Sequence, residues 1–307
     1  MRVVVVGLGV QGRKRGAVAG PDLVATVDPV VPDAAVKSLE ALDVASYDAA
    51  LLCVPDAAKA KLVRALIEAG KHVLVEKPLV LDCDADYAEF GEIAAARRIA
   101  CYVAYNHRFE PHFMRMRDLI GSGELGRIYR CRMFYGNGTA RDVRGSPWRD
   151  DGAGVLHDLG SHLLDTAHFW FGHLDQDFRI LSARRYENRA FDHVVVGGSG
   201  EPDLEFEMTL LSWRNHFQCD VFGEHGSAHI QSLCKWGPST FMRRTRKLPS
   251  GRPDEVATIL VQDDPTWAAE YAHFKVLCGN GRTDLSRDRM IGARLRALGD
   301  EAIGRAR

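Results

Sequence analysis

Long apolar runs are missing from this 307-residue chain, and with them any stretch able to cross a bilayer as a helix. An excess of charge of one sign is missing too. Lys and Arg number 40 against 41 Asp and Glu, a formal net charge of -1, so no global field draws the protein to nucleic acid or to an anionic membrane. The seven cysteines (Cys53, Cys83, Cys101, Cys131, Cys219, Cys234, Cys278) contain no C-x-x-C pair; an odd, scattered set suits reduced thiols rather than a disulfide framework. Internal repeats, low-complexity tracts and a disordered linker are absent as well. The apolar start Val3–Val6 is short and broken by Gly7 and Gly9. Arg13-Lys14-Arg15 then stands where a signal-peptide cleavage site would lie, so a cytoplasmic protein is expected. What remains is an ordinary globular composition, 46% apolar and 26% charged, in a length that fits two domains.

Up to about residue 105, short β-branched runs alternate with helical stretches. Val3–Val6, Leu23–Val27, Ala49–Val54, His72–Val75 and Ile99–Val103 read as strands, and each is a near-continuous apolar run, as helices on both faces of a parallel sheet require. Ala34–Leu42, Ala57–Ala69 and Ala85–Arg97 have helical spacing, with Gly70 as a stop for the second and Asp82 or Asp84 as a cap for the third. After a helix over Pro111–Ile120 the texture changes. Ile128–Tyr135, Phe178–Glu187, Asp192–Val196, Leu204–Trp213, Phe217–Phe222 and Ala228–Gln231 read as strands, with helices over Val155–Phe171, Thr266–Cys278 and Arg287–Ala306. The expected fold is an α/β Rossmann domain with a parallel, doubly wound sheet over residues 1–110, then an α+β domain over 111–307. The second carries a predominantly antiparallel open sheet, and its C-terminal helix is free to pack back on the first.

Gly7-Leu8-Gly9-Val10-Gln11-Gly12 follows the first strand directly and opens a helix. A lone G-x-G-x-x-G is a weak signal, but this context is that of a dinucleotide site. Gly7 allows the tight turn, Gly9 lets a pyrophosphate approach the backbone, Gly12 lets helix and strand pack closely, and the helix N-terminus attracts phosphate. Asp28 ends the second strand, where a carboxylate binds the adenosine ribose hydroxyls and repels a 2′-phosphate. NAD(H) is therefore the expected cofactor, with NADP(H) left open by Arg13, Lys14 and Arg15. The other reading of Asp28 is a turn aspartate before Pro29.

Two further patterns are chemically dense. Glu76-Lys77-Pro78 closes the fourth strand, at the end of the sheet where ligands bind, and Pro78 makes a cis bond worth looking for. Taken alone, the tripeptide reads better as a surface lysine in a turn. In the block Gly152 to His162, a helix would set Asp158 and His162 at i, i+4 on one face, where a carboxylate can orient an imidazole for proton transfer near neutral pH. His157 and His168 fall on other faces. A metal site from Asp158, His162 and His168 fails on spacing, so no metal is expected.

In this order the motifs resemble the Gfo/Idh/MocA oxidoreductases. The resemblance runs through the glycine loop, Cys53-Val54-Pro55, Glu76-Lys77-Pro78, Asn106-His107-Arg108-Phe109, Trp148-Arg149, Gly152 to His162 and Phe222 to Ser227. It implies that Lys77 binds the reacting oxygen, that His162 is the acid/base and that Asp158 supports it. It also implies that Cys53, Pro55, Glu76, Lys77 and Asn106 join Gly7–Gly12 and Asp28 around the cofactor. Arg108, Trp148 and Arg149, with Asp158 and His162, are the residues expected to touch substrate, although packing and surface roles suit the first three as well. Lys59-Ala60-Lys61 stands where a histidine often follows the Pro55 segment, and Ala153 interrupts a glycine triplet.

The implied activity is reversible oxidation of a secondary alcohol on a sugar, cyclitol or amino- or nucleotide-linked sugar, with a homodimer or homotetramer formed through the second domain's sheet. Arg141 and Arg144 hint at an anionic or nucleotide-linked substrate. The alternatives are an NAD-dependent glycosidase of the same superfamily, which would release sugar without accumulating NADH, and a non-catalytic NAD(H) sensor, which would bind without turnover.

Overall fold

A computed structural model describes residues 1–305. They divide into two compact units: Met1–Asn106 with Thr266–Ala293, and His107–Pro265 with the chain from Arg294 onward.

The first unit is built on five parallel strands, β1 (Val3–Val6), β2 (Leu23–Val27), β3 (Ala49–Leu52), β4 (His72–Glu76) and β5 (Cys101–Ala104), ordered β2-β1-β3-β4-β5. Every residue of β1, β3 and β5 is buried, which is why these strands read as unbroken apolar runs. The helices are α1 (Val10–Ala19), α2 (Asp56–Glu68) and α3 (Asp84–Ala96), joined by the much later Thr266–Asn280. That late helix sends Tyr271 and Phe274 into the core formed by Val3, Val5, Leu51 and Leu74. Gly70, with φ +72°, ends α2: its N–H bonds the Ile67 carbonyl and that of Lys71 bonds the Leu66 carbonyl, so last-turn carbonyls are satisfied. Neither Asp82 nor Asp84 caps α3. Cys83 takes that position, and its N–H donates to Asp86 at 3.1 Å.

The helix expected over Ala34–Leu42 does not form. Val36 pairs with β2 instead, donating to the Thr26 carbonyl and accepting from the Asp28 N–H, each at 3.1 Å, while Thr26 Oγ1 accepts from Ala35 N–H. Extended backbone bonds to an existing strand outcompete a nine-residue helix with a costly nucleus. Two short 3₁₀ turns, Leu39–Ala41 and Val44–Ser46, complete the connection to β3.

The second unit holds α4 (Pro111–Gly121), β6 (Ile128–Gly136), α5 (Ala140–Arg144), α6 (Ser161–Phe171), β7 (Asp177–Arg184), β8 (His193–Ser199), β9 (Asp203–Thr209), β10 (His216–Gly223), β11 (Gly226–Gln231), β12 (Ser239–Lys247) and β13 (Gly251–Leu260). Its eight strands are ordered β13-β12-β11-β10-β6-β9-β8-β7 and pair antiparallel except for β6 with β9. Burial alternates along β8, β9 and β10, as it must when helices cover one face only. On the covered face Phe113 of α4 meets Trp170 of α6 and Phe217 of β10 at ring separations of 5.2 and 4.9 Å.

The β12–β13 hairpin has no counterpart in the sequence-based expectation. Its apolar alternation is drowned by charge, and the pairing shows in cross-strand ion pairs, Arg244–Glu255 at 2.9 Å and Lys247–Asp254 at 2.6 Å. α5 was not expected either; five residues are too few for a periodic signal. The final helix spans Ser286–Arg305; the Ala306 end expected for it lies outside the described residues. No helix among them is long and apolar enough to cross a membrane.

β7 stops at Arg184 rather than Glu187 because the next backbone N–H groups turn onto one carboxylate. Buried Asp192 accepts from Tyr186, Glu187 and Asn188 at 2.6–3.1 Å. The loop so formed clasps the segment before α6: Asn188 Nδ2 donates to the Ala140 carbonyl, Ala190 N–H to Asp150, and Val155 N–H to the Phe191 carbonyl. Asp192→Ala strands three donors and is expected to cost about 1–3 kcal/mol. It should also speed amide exchange over residues 186–190; an unchanged urea melt and exchange pattern would rule out the clasp.

Candidate active site

In the first unit, the glycine loop is fixed by neighbours that leave no room for side chains. Gly7 has φ +89°, and a Cβ there would strike the Cys53 carbonyl at the end of β3; a Cβ on Gly12 would strike the Gly7 carbonyl. Around Gly9, by contrast, a Cβ would meet nothing within 4 Å. That open space faces the start of α1, whose first N–H groups have no intrahelical partner, and is suited to a pyrophosphate.

Asp28 holds the adjoining edge. One carboxylate oxygen accepts from Leu8 N–H at 2.7 Å, the other from Val30 and Val31 N–H at 2.8 and 2.9 Å. Burial pushes its pKa up, but these three donors win and the carboxyl lies below its ordinary value. A carboxylate offers about four acceptor positions, so room is left for a ribose hydroxyl. The loop, the helix start and the charged carboxylate thus fit NAD.

The basic run that left NADP(H) open is split three ways. Arg13 pairs with Asp33, Lys14 stands over the Trp267 ring, and Arg15 is buried, bonding Glu76 and Glu270 at 2.7 Å each. Asp28→Asn, which removes the charge and one acceptor, is expected to weaken NAD binding about 10–100-fold and to narrow the preference over NADP. Calorimetric Kd values for both nucleotides would check this; an unchanged NAD:NADP ratio would exclude the role.

Glu76 and Lys77 end β4, and the Lys77–Pro78 bond is cis. Glu76 is spent on Arg15 Nε. Pro78 is braced from below: Lys59, 3% exposed, donates from Nζ to the Pro78 carbonyl at 2.8 Å and pairs with Asp56 at 2.7 Å. Burial pulls the Lys59 ammonium below its ordinary value, against Asp56. So the lysine standing in place of a family histidine supports the turn that carries Lys77. Cys53 is half-buried and its thiol is pushed up by burial; Pro55 precedes α2; Asn106 is buried and bonds Thr266 Oγ1 at 2.8 Å.

In the second unit the helix carrying His162 is not α-helical throughout. Leu156–Gly160 winds as a π-helix and α6 begins only at Ser161. Asp158 therefore lies in the wider turn directly before α6, four positions ahead of His162, rather than in the regular α-helix expected for the pair. Arg149 Nη2 reaches Asp158 Oδ2 at 3.5 Å. His162 is buried, with the His107 ring stacked on it at 4.0 Å between centroids and 18° between planes, and Tyr135 tilted at 5.9 Å. Burial, with Asp158 adding to it, pushes the Tyr135 phenol above its ordinary value. Trp148 is 59% exposed. Arg108 faces the other way in its chemistry: Nε and Nη2 lie 2.8–3.0 Å from the Asp165 carboxylate, and its guanidinium covers Phe169.

Sequence reasoning missed His107 and Lys235. His107 sits inside a motif whose neighbours drew attention, and Lys235 lies in a loop 128 positions later, with Nζ 3.3 Å from His107 Nε2. Only the lysine–tryptophan pair in an otherwise apolar and Gly-Pro loop signalled it.

Residues 1–105 match the sequence model described as oxidoreductase family, NAD-binding Rossmann fold, and residues 113–229 match that of the GFO/IDH/MocA C-terminal domain. The chain belongs to the GFO/IDH/MocA family of oxidoreductases. Residues 1–105 are the family's NAD-binding Rossmann domain, and the fold expected from sequence, parallel sheet followed by mostly antiparallel sheet, is the one observed. The chain is 29% identical over 140 residues to the inositol 2-dehydrogenase of Rhizobium meliloti, covering 45% of this chain and 41% of the relative. It is 30% identical over 194 residues to the inositol 2-dehydrogenase of Rhodococcus erythropolis, covering 63% and 52%. The matches therefore span about half or less of these relatives' own lengths. Among solved structures, levoglucosan dehydrogenase in complex with NADH superposes with a TM-score of 0.82 over 99% of this chain and 97% of that one, at 17% identity, a likeness of fold.

Proposed function

We propose that this protein is an NAD(H)-dependent dehydrogenase that interconverts a secondary alcohol and a ketone on a sugar, cyclitol or sugar derivative. The observation that carries the reading is the head of α6, where the buried His162 imidazole lies against Tyr135 and the Asp158 carboxylate, paired with Arg149, acts on the same phenol, in a family whose other domain binds NAD. The names of the relatives, inositol 2-dehydrogenase and levoglucosan dehydrogenase, point to polyol and sugar alcohols.

Bound NAD would supply a two-electron acceptor for the hydride of the alcohol carbon, and NADH the donor for the reverse reaction. His162 takes the hydroxyl proton in oxidation and gives it back in reduction. Lys77, held by the braced turn at the end of β4, donates to the reacting oxygen and offsets its developing negative charge. Asp158 favours the imidazolium that proton transfer creates. Trp148 offers an exposed face for a sugar ring, and Arg149 is better placed than Arg108 to meet a substrate carboxylate or phosphate, because Arg108 is committed to Asp165. Association through the open face of the eight-stranded sheet belongs to the same proposal.

A thermal-shift and NADH-formation screen over sugars, inositols, amino sugars and nucleotide sugars, with NADP in parallel, tests the function. Turnover of at least one polyol with NAD is expected. Tight NAD binding with no oxidation, and no reduction of the matching ketones by NADH, would overturn it.

A further inference from the structure

The proposed proton transfer makes no use of His107, yet its ring lies flat on His162. His107 is buried in the 3₁₀ turn Asn106–Phe109 that leads into α4. Its Nε2 is 3.3 Å from Nζ of Lys235, which sits in the 3₁₀ turn Cys234–Trp236 after β11 and also stands over the Trp236 ring at 4.7 Å. Tyr135 closes the stack from β6, 5.4 Å from the His107 centroid and 5.8 Å from that of Trp236.

An ammonium has hydrogens to give and no lone pair, so the His107 nitrogen facing it must be the acceptor. The ring proton is then on Nδ1 and the ring is neutral; an imidazolium would turn a second N–H against the ammonium. The charge of Lys235 is thus one ring away from His162. From this geometry we propose that Lys235 and His107 are positioning residues that fix the plane of His162 and oppose its protonation. They would keep it a base at the start of alcohol oxidation.

The surrounding charges define a balance. Around Lys235 stand Glu110, whose carboxylate accepts from the Cys234 N–H and thiol at 3.1 and 2.9 Å, and Asp264, whose charge acts on both Glu110 and Cys234. Burial drives the Glu110 carboxyl up, and the Lys235 charge pulls against that rise. Around His162 stand Tyr135, Asp158 and the Arg149 that pairs with Asp158. Asp158 stabilises a proton on His162, whereas Lys235 repels it. The first lets the proton arrive from the substrate hydroxyl, and the second speeds its departure to solvent. A phenylalanine at 107 would serve packing equally well, but it could not accept from Lys235 and so could not hold the ammonium against the stack.

This inference rests on the dehydrogenase reading only for its consequence, since the His162 titration can be measured without any substrate. Histidine Cε1–H resonances of the full-length protein would be followed by NMR against pH in the wild type, Lys235→Met, Lys235→Arg and His107→Phe, with His162→Asn to assign the signal. Lys235→Met is expected to raise the His162 midpoint by about half a unit to one unit, and to allow His107 to titrate. Lys235→Arg, which keeps charge and donor, should stay near the wild type. His107→Phe keeps a ring on His162 but releases Lys235 towards Glu110 and Asp264, and should raise the midpoint as well.

The acid limb of the turnover profile should move with the NMR midpoint. Should Lys235→Met fail to fold, Lys235→Gln makes the same comparison. A His162 midpoint unchanged on loss of the Lys235 charge overturns the inference, whether or not the enzyme turns over. Full activity of His162→Asn would overturn the dehydrogenase role while leaving a measured shift intact.

Discussion

Replacing Arg15 with methionine is expected to lower the unfolding free energy by about 3–5 kcal/mol, read from urea melts, the range typical of breaking a buried ion pair from one side. Arg15 is 1% exposed in α1, with Nε on Glu76 and Nη2 on Glu270, each at 2.7 Å, and its guanidinium 4.4 Å from the Trp267 ring centroid. Removing it leaves two carboxylates facing each other without a cation. Lysine is not expected to rescue, because a single ammonium cannot reproduce a planar fork that reaches two carboxylates and stacks on indole. A loss below about 1 kcal/mol would mean that the cluster is solvated or rearranges freely.

The same cluster sets a pH dependence. Burial drives the Glu270 carboxyl up to about 7; Arg15 pulls against the rise and Glu76 adds to it. A carboxyl whose folded value stands above its ordinary 4.5 favours the fold most at low pH, and that contribution is lost as pH rises through about 7. Glu270→Gln keeps the shape and an acceptor for Arg15 but cannot ionise. Its melting temperature should therefore fall less than the wild type's between pH 5 and pH 8. Parallel curves for the two proteins would refute the assignment.

Arg15 also marks a limit of reading sequence. Three consecutive basic residues on a helix point about 100° apart, so Arg13-Lys14-Arg15 cannot be one phosphate clamp, yet nothing local says which of them turns inward. The answer lies 255 positions away, in Glu270. Strands β1 to β5 were legible because burial on both faces leaves a continuous apolar signature that survives without knowledge of the partners. The segment 34–42 was misread because its spacing suited a helix while its backbone had a better partner in β2. β12 and the edge strand β13 were invisible because these half-exposed strands are written in arginine, lysine and acid rather than in apolar alternation. Within the candidate site, the glycine loop, Asp28, Lys77 and His162 could be named from motif and order. The π-turn before α6, the commitment of Arg108 to Asp165 and the stack of His107 on His162 depend on tertiary packing, for which spacing along the chain is no guide.

The largest effects on turnover are expected at Lys77 and His162. Lys77→Ala should lower kcat about 10²–10³-fold, the scale of losing one preorganised donor to a developing oxyanion. His162→Asn, which nearly preserves shape and polarity but cannot accept and return a proton, should lower it about 10²–10⁴-fold. Neither belongs to the glycine loop, to the start of α1 or to Asp28, so Kd for NAD should stay within about twofold of the wild type in both variants. The combination should cost less than the product of the single effects, because a proton acceptor contributes little once the oxygen it serves is no longer held. With a deuterium-labelled alcohol, the isotope effect on kcat should grow in each variant as bond breaking becomes the slow step. Low turnover accompanied by lost NAD binding would instead mean that the residues support the cofactor domain, and normal turnover in both would remove them from the chemistry. The braced turn makes a further distinction possible: Lys59→Met leaves Lys77 in the chain but withdraws the cation beneath Pro78. If the placement of Lys77 matters as much as its charge, this variant should lose kcat in the same direction as Lys77→Ala, by a smaller factor, with Kd for NAD again unchanged.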